Sequence, residues 1–255
     1  MPRRSISRIN ESFCYHITQR CQERGYLFEW KTDRRQYLKR LRQMSRLYPV
    51  SVLNYMITGN HVHLLLWSRR SKDVAAGMQF LSGTSSQDYN RRKNREGSFW
   101  SGRYRPTVIE SGSHLSRCFF YIELNMVRAK AVGHPSQWFG GAFEEHAGHR
   151  KRYCIIDRER LLHCLGCPCL EHFRNWYHAT LNMHSAEYME RESYWTEAAA
   201  VGSRDWVERL TGKLPSSSYE LKPAAIDVGE DQAAYVVHMS NRKREGLLSA
   251  ISNRP

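Results

Sequence analysis

The chain has 255 residues, 41% hydrophobic and 25% charged, a mix that suits a soluble globular protein and excludes a fibrous or wholly disordered chain. Lys and Arg number 39 against 25 acids, a net charge of +14, which makes a polyanion the first partner to consider. All of that excess lies in residues 1–150, with 25 Lys and Arg against 11 Asp and Glu; residues 151–255 hold 14 of each, so the charge marks one region as a nucleic-acid or anionic surface.

In chain order, Phe13 to Thr18 alternates Phe13, Tyr15 and Ile17 with Cys14, His16 and Thr18 and predicts a half-buried strand. A loop with Arg20, Arg24 and Gly25 follows, and Tyr26-Leu27-Phe28 reads as a short extended piece. From Asp33 to Tyr48 the residues Tyr37, Leu41, Met44 and Tyr48 recur with helical spacing, and Pro49 closes that helix. The runs Val50 to Ile57 and Val62 to Trp67, separated by Gly59-Asn60, predict a β-hairpin. Ser71 caps a helix through Val74, Met78 and Leu81 that continues or restarts to Tyr89. The basic stretch 91–95 leads to Phe99-Trp100, a strand is expected at Thr107 to Ile109, and a helix from Ser113 to about Ala131 has Leu115, Phe119, Ile122 and Met126 as its core stripe. The order βαββαβ plus a helix predicts an α+β, ferredoxin-like (RRM-like) antiparallel sheet with helices on one face.

Beyond Gly140-Gly141 the strand signals fade. Short helices are expected at Leu161–Leu165, Leu170–Leu181 and Asp205–Leu214, giving a small, mainly helical C-terminal domain. The domain reading is 1–148, 149–214, and a linker and tail over 215–255, the linker marked by Pro215, Ser216-Ser217-Ser218 and Pro223. No apolar stretch approaches the roughly 18 residues of a spanning helix. Met1-Pro2-Arg3-Arg4 lacks an apolar signal core, so a cytoplasmic, nucleoid-associated protein is expected, with no membrane partner. Seven cysteines, an odd number, indicate reduced thiols. Cys164, Cys167 and Cys169 lack the second pair a zinc site uses, and read as ordinary thiols.

The sharpest motif is His61-Val62-His63. Residues i and i+2 of a strand project to one face, about 6.6 Å apart along the backbone, so two imidazoles can converge on one divalent metal. The alternative is a pair of hydrogen-bonded structural histidines. Tyr121 and Asn125 are four apart on the expected helix and share a face. A tyrosine can act as a covalent nucleophile, and an amide oxygen suits a hard metal held by two imidazoles.

Asn60-His61-Val62-His63-Leu64-Leu65-Leu66, Phe99-Trp100-Ser101-Gly102-Arg103-Tyr104 and Tyr121-Ile122-Glu123-Leu124-Asn125-Met126-Val127-Arg128-Ala129 together resemble the REP-associated tyrosine transposases, within the HUH single-tyrosine group. Tyr15-His16-Ile17-Thr18-Gln19-Arg20 is similar to that family's opening strand. The resemblance covers about residues 10–145. It implies that His61 and His63 hold the metal, that Asn125 completes the metal site, and that Tyr121 is the nucleophile. Two departures stand out: Thr58-Gly59 where relatives often have Met-Pro, and Met126 where they often have Pro.

The resemblance implies a metal-dependent endonuclease and strand transferase acting on single-stranded DNA. Its substrate would be REP-type palindromes folded as hairpins, and its intermediate a 5′-phosphotyrosine. The competing reading is a hairpin-binding protein that does not cut. Imidazole and oxygen ligands favour Mg²⁺ or Mn²⁺ over a structural zinc. Candidate DNA contacts are Arg20 and Arg24, then Arg91, Arg92, Lys93 and Arg95, then Arg103 and Arg105, with Phe99, Trp100 and Tyr104 as stacking platforms. The protein is expected to act as a monomer or homodimer.

Overall fold

A computed structural model of the chain describes residues 12–183, 192–212, 219–226 and 234–241. The first half runs β1 (Phe13–Arg20), α1 (Lys31–Leu47), β2 (Ser51–Ile57), β3 (His61–Ser68), α2 (Ser71–Lys93), β4 (Arg105–Ile109), α3 (Ser113–Glu123) and α4 (Asn125–Arg128). The second half adds α5 (Phe143–His146), α6 (Arg158–Leu165), α7 (Leu170–Met183), α8 (Tyr194–Glu197), β5 (Ala200–Gly202), α9 (Arg204–Gly212), β6 (Tyr219–Ile226) and β7 (Ala234–Asn241).

The strands form one sheet in the order β2-β3-β1-β4-β5-β7-β6. Its first four strands are antiparallel neighbours with the expected ferredoxin-like order. α1 buries Tyr37, Leu41 and Met44, the residues of its predicted stripe, and each such side chain contributes roughly 2 kcal/mol. α2 crosses α1 closely at Gly77, where a Cβ would stand 3.3 Å from Met44. Both helices cover the sheet face that carries Ile17, Gln19, Val62 and Leu64; Ser82 of α2 donates to Gln19 Oε1 at 2.8 Å. α3 covers the opposite face, so the helices do not all share one face as expected; the Asn54 amide of β2 donates to the Phe119 carbonyl at 3.1 Å. That opposite face is where the histidines point.

Four local expectations need correction. Tyr26-Leu27-Phe28 forms a turn, because Phe28 is drawn into the core by Tyr37, Phe99 and Trp100. α2 is continuous to Lys93 and takes in the first part of the basic stretch. The helix expected over Ser113–Ala131 is interrupted at Leu124 (φ −86°, ψ 6°) and ends at Arg128. Most substantially, the region after residue 148 holds the three helices expected there as α6, α7 and α9 but also continues the sheet: β5 pairs in parallel with β4, and β7 and β6, within the stretch read as linker and tail, follow. Pro223 made β6 look like a linker, but β6 is the outermost strand, where a missing N–H is tolerated.

Behind α3, His146 sits in a cage of Phe119, Phe173 and Tyr177, with Nε2 bonded to Asn54 Oδ1 at 3.3 Å. Burial, helped by the Arg158 charge, lowers its pKa to about 3. The unfolded chain takes up this proton near pH 6.5 and the folded protein only near 3, so stability falls as pH falls between the two. Acidifying from pH 7 to about 4 costs about 3 kcal/mol at this site. Glu123, raised by burial to about 7, acts in the opposite sense and is common to wild type and variant. His146→Phe is therefore expected to reduce the fall in Tm over this range; an unchanged pH profile in calorimetry would refute the assignment.

Candidate active site

The β1–β3 register sets the site. His61 lies across from Arg20, and His63 across from Thr18. Thr18 in turn pairs with Arg105 on β4. Directly paired residues of antiparallel strands share a face, so His61, His63, Arg20, Thr18 and Arg105 occupy one end of the face beneath α3. His16 is two residues before Thr18 on the same face, and is fully buried.

The two histidines of the motif have ring centroids 4.8 Å apart. Tyr121 on α3 brings its ring to 6.1 Å from both His63 and His16. Asn125, on the far side of the Leu124 break, has its amide 3.2 Å from His63 Nε2. Helix and strand, 58 residues apart in sequence, thus bring the four expected residues together. Tyr121 is 5% exposed: Arg128 lies over its ring at 4.1 Å and donates to its carbonyl, and Trp195 of α8 flanks it at 6.2 Å.

Hydrogen bonding sets which nitrogen of each imidazole carries the proton. Thr58 Oγ1 donates to the His61 carbonyl at 2.9 Å, so that hydroxyl can only accept from His61 Nδ1, which it meets at 2.9 Å. Asn60 Oδ1 accepts from the same nitrogen at 2.7 Å. His61 is therefore protonated on Nδ1, with its lone pair on Nε2. The departure from the family pattern at Thr58 thus supplies an orienting group. His63 is pushed well below its ordinary pKa by burial, then by the charges of His61, His16, Arg128 and Arg20; burial holds His16 at about 4. Both are neutral at pH 7. A lone-pair nitrogen on each motif imidazole beside an amide suits a divalent cation. Among the described residues no group of three or more His, Cys, Asp or Glu forms a metal cluster, so any such site rests on this mixed set.

Residues 10–125 match the family of IS200-like transposases. Over that stretch, just under half of the chain, the sequence is similar to the IS200-like transposases. A solved structure of a REP-associated tyrosine transposase bound to a REP hairpin is similar at 17% identity and TM-score 0.45, covering 56% of this chain and 83% of that one. No curated protein matches the chain.

Around the motif histidines the candidate DNA contacts divide. Arg20 and Arg105 flank the imidazoles and are exposed. Arg24, with positive φ, joins the same end through its carbonyl, which accepts from Asn60 Nδ2 at 3.2 Å. Arg103 is exposed in the loop before β4. Arg91, Arg92, Lys93 and Arg95 lie at or just beyond the end of α2, over the opposite face. Arg91 pairs with Asp88, Arg92 with the buried Asp33, and Arg95 bonds Asn90 and Ser98 within its own loop.

Trp100 needs correction as a stacking platform. It is 8% exposed, and Phe99 2%, because both join Phe28 and Tyr37 under α2, with Trp100 Nε1 donating to the Ser82 carbonyl. Among the described residues Tyr26, 71% accessible, is an exposed aromatic at this end, and Trp30, 59%, follows it at the start of α1. The Tyr26 ring lies over Gly59, where a Cβ would come within 2.7 Å of it. Besides these two, sequence reasoning missed His16, Arg128 and Trp195. His16 was visible as the polar member of the β1 alternation, but its neighbours required the register with β3. Among the described residues no helix is long and apolar enough to cross a membrane.

Proposed function

We propose that this chain is an IS200-like transposase that cuts and rejoins single-stranded DNA at REP-type hairpins, with Tyr121 as nucleophile and His61, His63 and Asn125 as ligands of Mg²⁺ or Mn²⁺. The observation that carries this reading is the meeting of the Tyr121 ring and the Asn125 amide with His63, at 6.1 and 3.2 Å. When bound, the cation would polarise the scissile phosphate and offset charge on its oxygens. The phenol oxygen forms a bond to phosphorus as the bond to the 3′-oxygen breaks. The phenol proton passes to water and the departing oxygen takes one up, leaving a 5′-phosphotyrosine and a 3′-OH. The ester energy stays in that link, so a second 3′-OH can reverse the step and join strands. Arg128, over the Tyr121 ring, favours negative charge growing on the phenol.

We assign this chemistry to residues 1–148. Arg20, Arg24, Arg103 and Arg105 are positioned to hold phosphates beside it, and Tyr26 to stack on an unpaired base. Tyr26→Ala is expected to weaken binding of a fluorescent single-stranded oligonucleotide roughly tenfold in anisotropy titrations, and Tyr26→Trp to retain it. Equal affinity for all three proteins would remove Tyr26 from the DNA path. The reading as a whole is tested by incubating the full chain with labelled hairpin DNA, the same sequence as duplex, and single-stranded RNA, each with Mn²⁺. A covalent adduct surviving denaturation is expected with hairpin DNA alone. Tight hairpin binding with no adduct in Mn²⁺ or Mg²⁺ would support the non-cutting alternative.

A further inference from the structure

β1 and β4 carry two buried side chains facing each other across the ladder, His16 and Thr107. Both reach the same strap of chain, residues 195–202, which lies beyond the matched family region. Thr107 Oγ1 donates to the Ala198 carbonyl at 2.7 Å, and His16 Nδ1 meets the Trp195 carbonyl at 2.8 Å. The strap is also held by its backbone, through Val108 N to Ala199 O at 2.9 Å and Glu110 N to Val201 O at 3.0 Å. Its position is therefore set by the sheet.

A carbonyl can only accept, so the His16 contact puts the proton on Nδ1. The other His16 nitrogen, Nε2, lies 2.9 Å from His63 Nδ1, with the rings stacked at 5.1 Å and 14°. A neutral His16 with its proton on Nδ1 can only accept there, so His63 donates from Nδ1. Its lone pair then stands on Nε2, the atom 3.2 Å from the Asn125 amide.

We propose that His16 is a positioning residue: it relays the Trp195 carbonyl to His63 and fixes His63 as the Nδ1–H tautomer, so that Nε2 is presented toward Asn125. The two motif histidines are thereby set by different parts of the chain. His61 takes its tautomer from its own turn, through Thr58 and Asn60. His63 takes it from the C-terminal strap, through a second imidazole. The strap is in this way part of the site, although the nucleophile and the motif histidines all lie before residue 126. As a role toward a metal ligand the relay rests on the function proposed above; the tautomer itself does not.

The test uses the full chain labelled with ¹⁵N-histidine, without metal, at pH 7, and reads each ring by long-range ¹H–¹⁵N correlation. Wild type is expected to show His63 with a protonated Nδ1 and an unprotonated Nε2. In His16→Leu the His63 signals are expected to move toward an average of the two tautomers, while His61 is unchanged. His16→Gln offers an amide N–H to the carbonyl and an oxygen to His63, and is expected to restore the wild-type pattern. Thr58→Val combined with Asn60→Ala, which removes both acceptors from His61 Nδ1, serves as the converse, moving His61 and leaving His63. In a parallel Mn²⁺ titration His16→Leu is expected to bind about tenfold more weakly, and His16→Gln within about threefold of wild type. His63 found protonated on Nε2 in wild type would overturn the relay, as would an unmoved tautomer in a folded His16→Leu. If His16→Leu does not fold, the wild-type and His16→Gln spectra decide. Wild type that binds no Mn²⁺ yet shows the fixed tautomer would defeat the metal reading and leave the relay standing.

Discussion

Tyr121→Phe is expected to abolish the covalent DNA adduct and lower hairpin cleavage by at least about 10⁴-fold, while the Kd for the hairpin stays within about threefold. The substitution removes one oxygen and keeps the ring. The packing of that ring against His16, His63 and Trp195 is therefore conserved, and so is the cation–π contact with Arg128. Of the hydroxyls nearby, Thr58 Oγ1 is engaged with His61, and that of Thr18, across from His63 on the same face, is a poorer nucleophile than a phenol because an alkyl hydroxyl is far less acidic. Cleavage and adduct yield should fall together, whereas a binding defect would lower both only at limiting protein. Gel analysis of adduct after denaturation, beside anisotropy for affinity, separates the two. Residual adduct in Tyr121→Phe would mean that another side chain attacks.

The second large effect concerns the imidazole pair. His61→Ala is expected to lower cleavage by about 10³-fold, a loss matched in wild type by chelation with EDTA and reversed by added Mn²⁺. His61 suits this test better than His63, since it is half-buried at the start of β3 and its loss leaves the His16–His63 contact in place. Thermal unfolding of the variant should match wild type within a few degrees. Because burial holds His63 neutral well below the range of an ordinary imidazole, acid should displace a cation at His63 only at a lower pH than it would at an exposed histidine. Cleavage by His61→Ala equal to wild type at saturating Mn²⁺ would remove the motif from the chemistry.

The residues that proved legible in advance are those whose signal is local. His61-Val62-His63 shares a face because strand residues two apart must, and the hairpin that carries it was marked by Gly59-Asn60 between two apolar runs. Tyr37, Leu41 and Met44 lie in the core because their spacing leaves no other arrangement for α1. What stayed hidden depends on pairings distant in the chain. His16 meets His63 across 47 positions and Trp195 across 179, and no window of sequence contains either pair. Trp100, set among arginines, looked like a stacking surface, and only its bridge to Cys21 and its bond to Ser82 turn it inward. Leu124 interrupts the tyrosine helix without a Gly or Pro to announce it. Pro223 argued against a strand that exists because β6 is the outermost of its sheet.

The central claim is that the phenol of residue 121 attacks DNA beside the His61–His63 pair. Its most direct test is to trap the adduct on hairpin DNA with Mn²⁺, trim the DNA with nuclease, digest the protein and locate the nucleotide by tandem mass spectrometry. A single modified peptide with a 5′-linked nucleotide on Tyr121 is the expected result. A nucleotide on any other residue, including Tyr26 or Tyr104, would contradict the account.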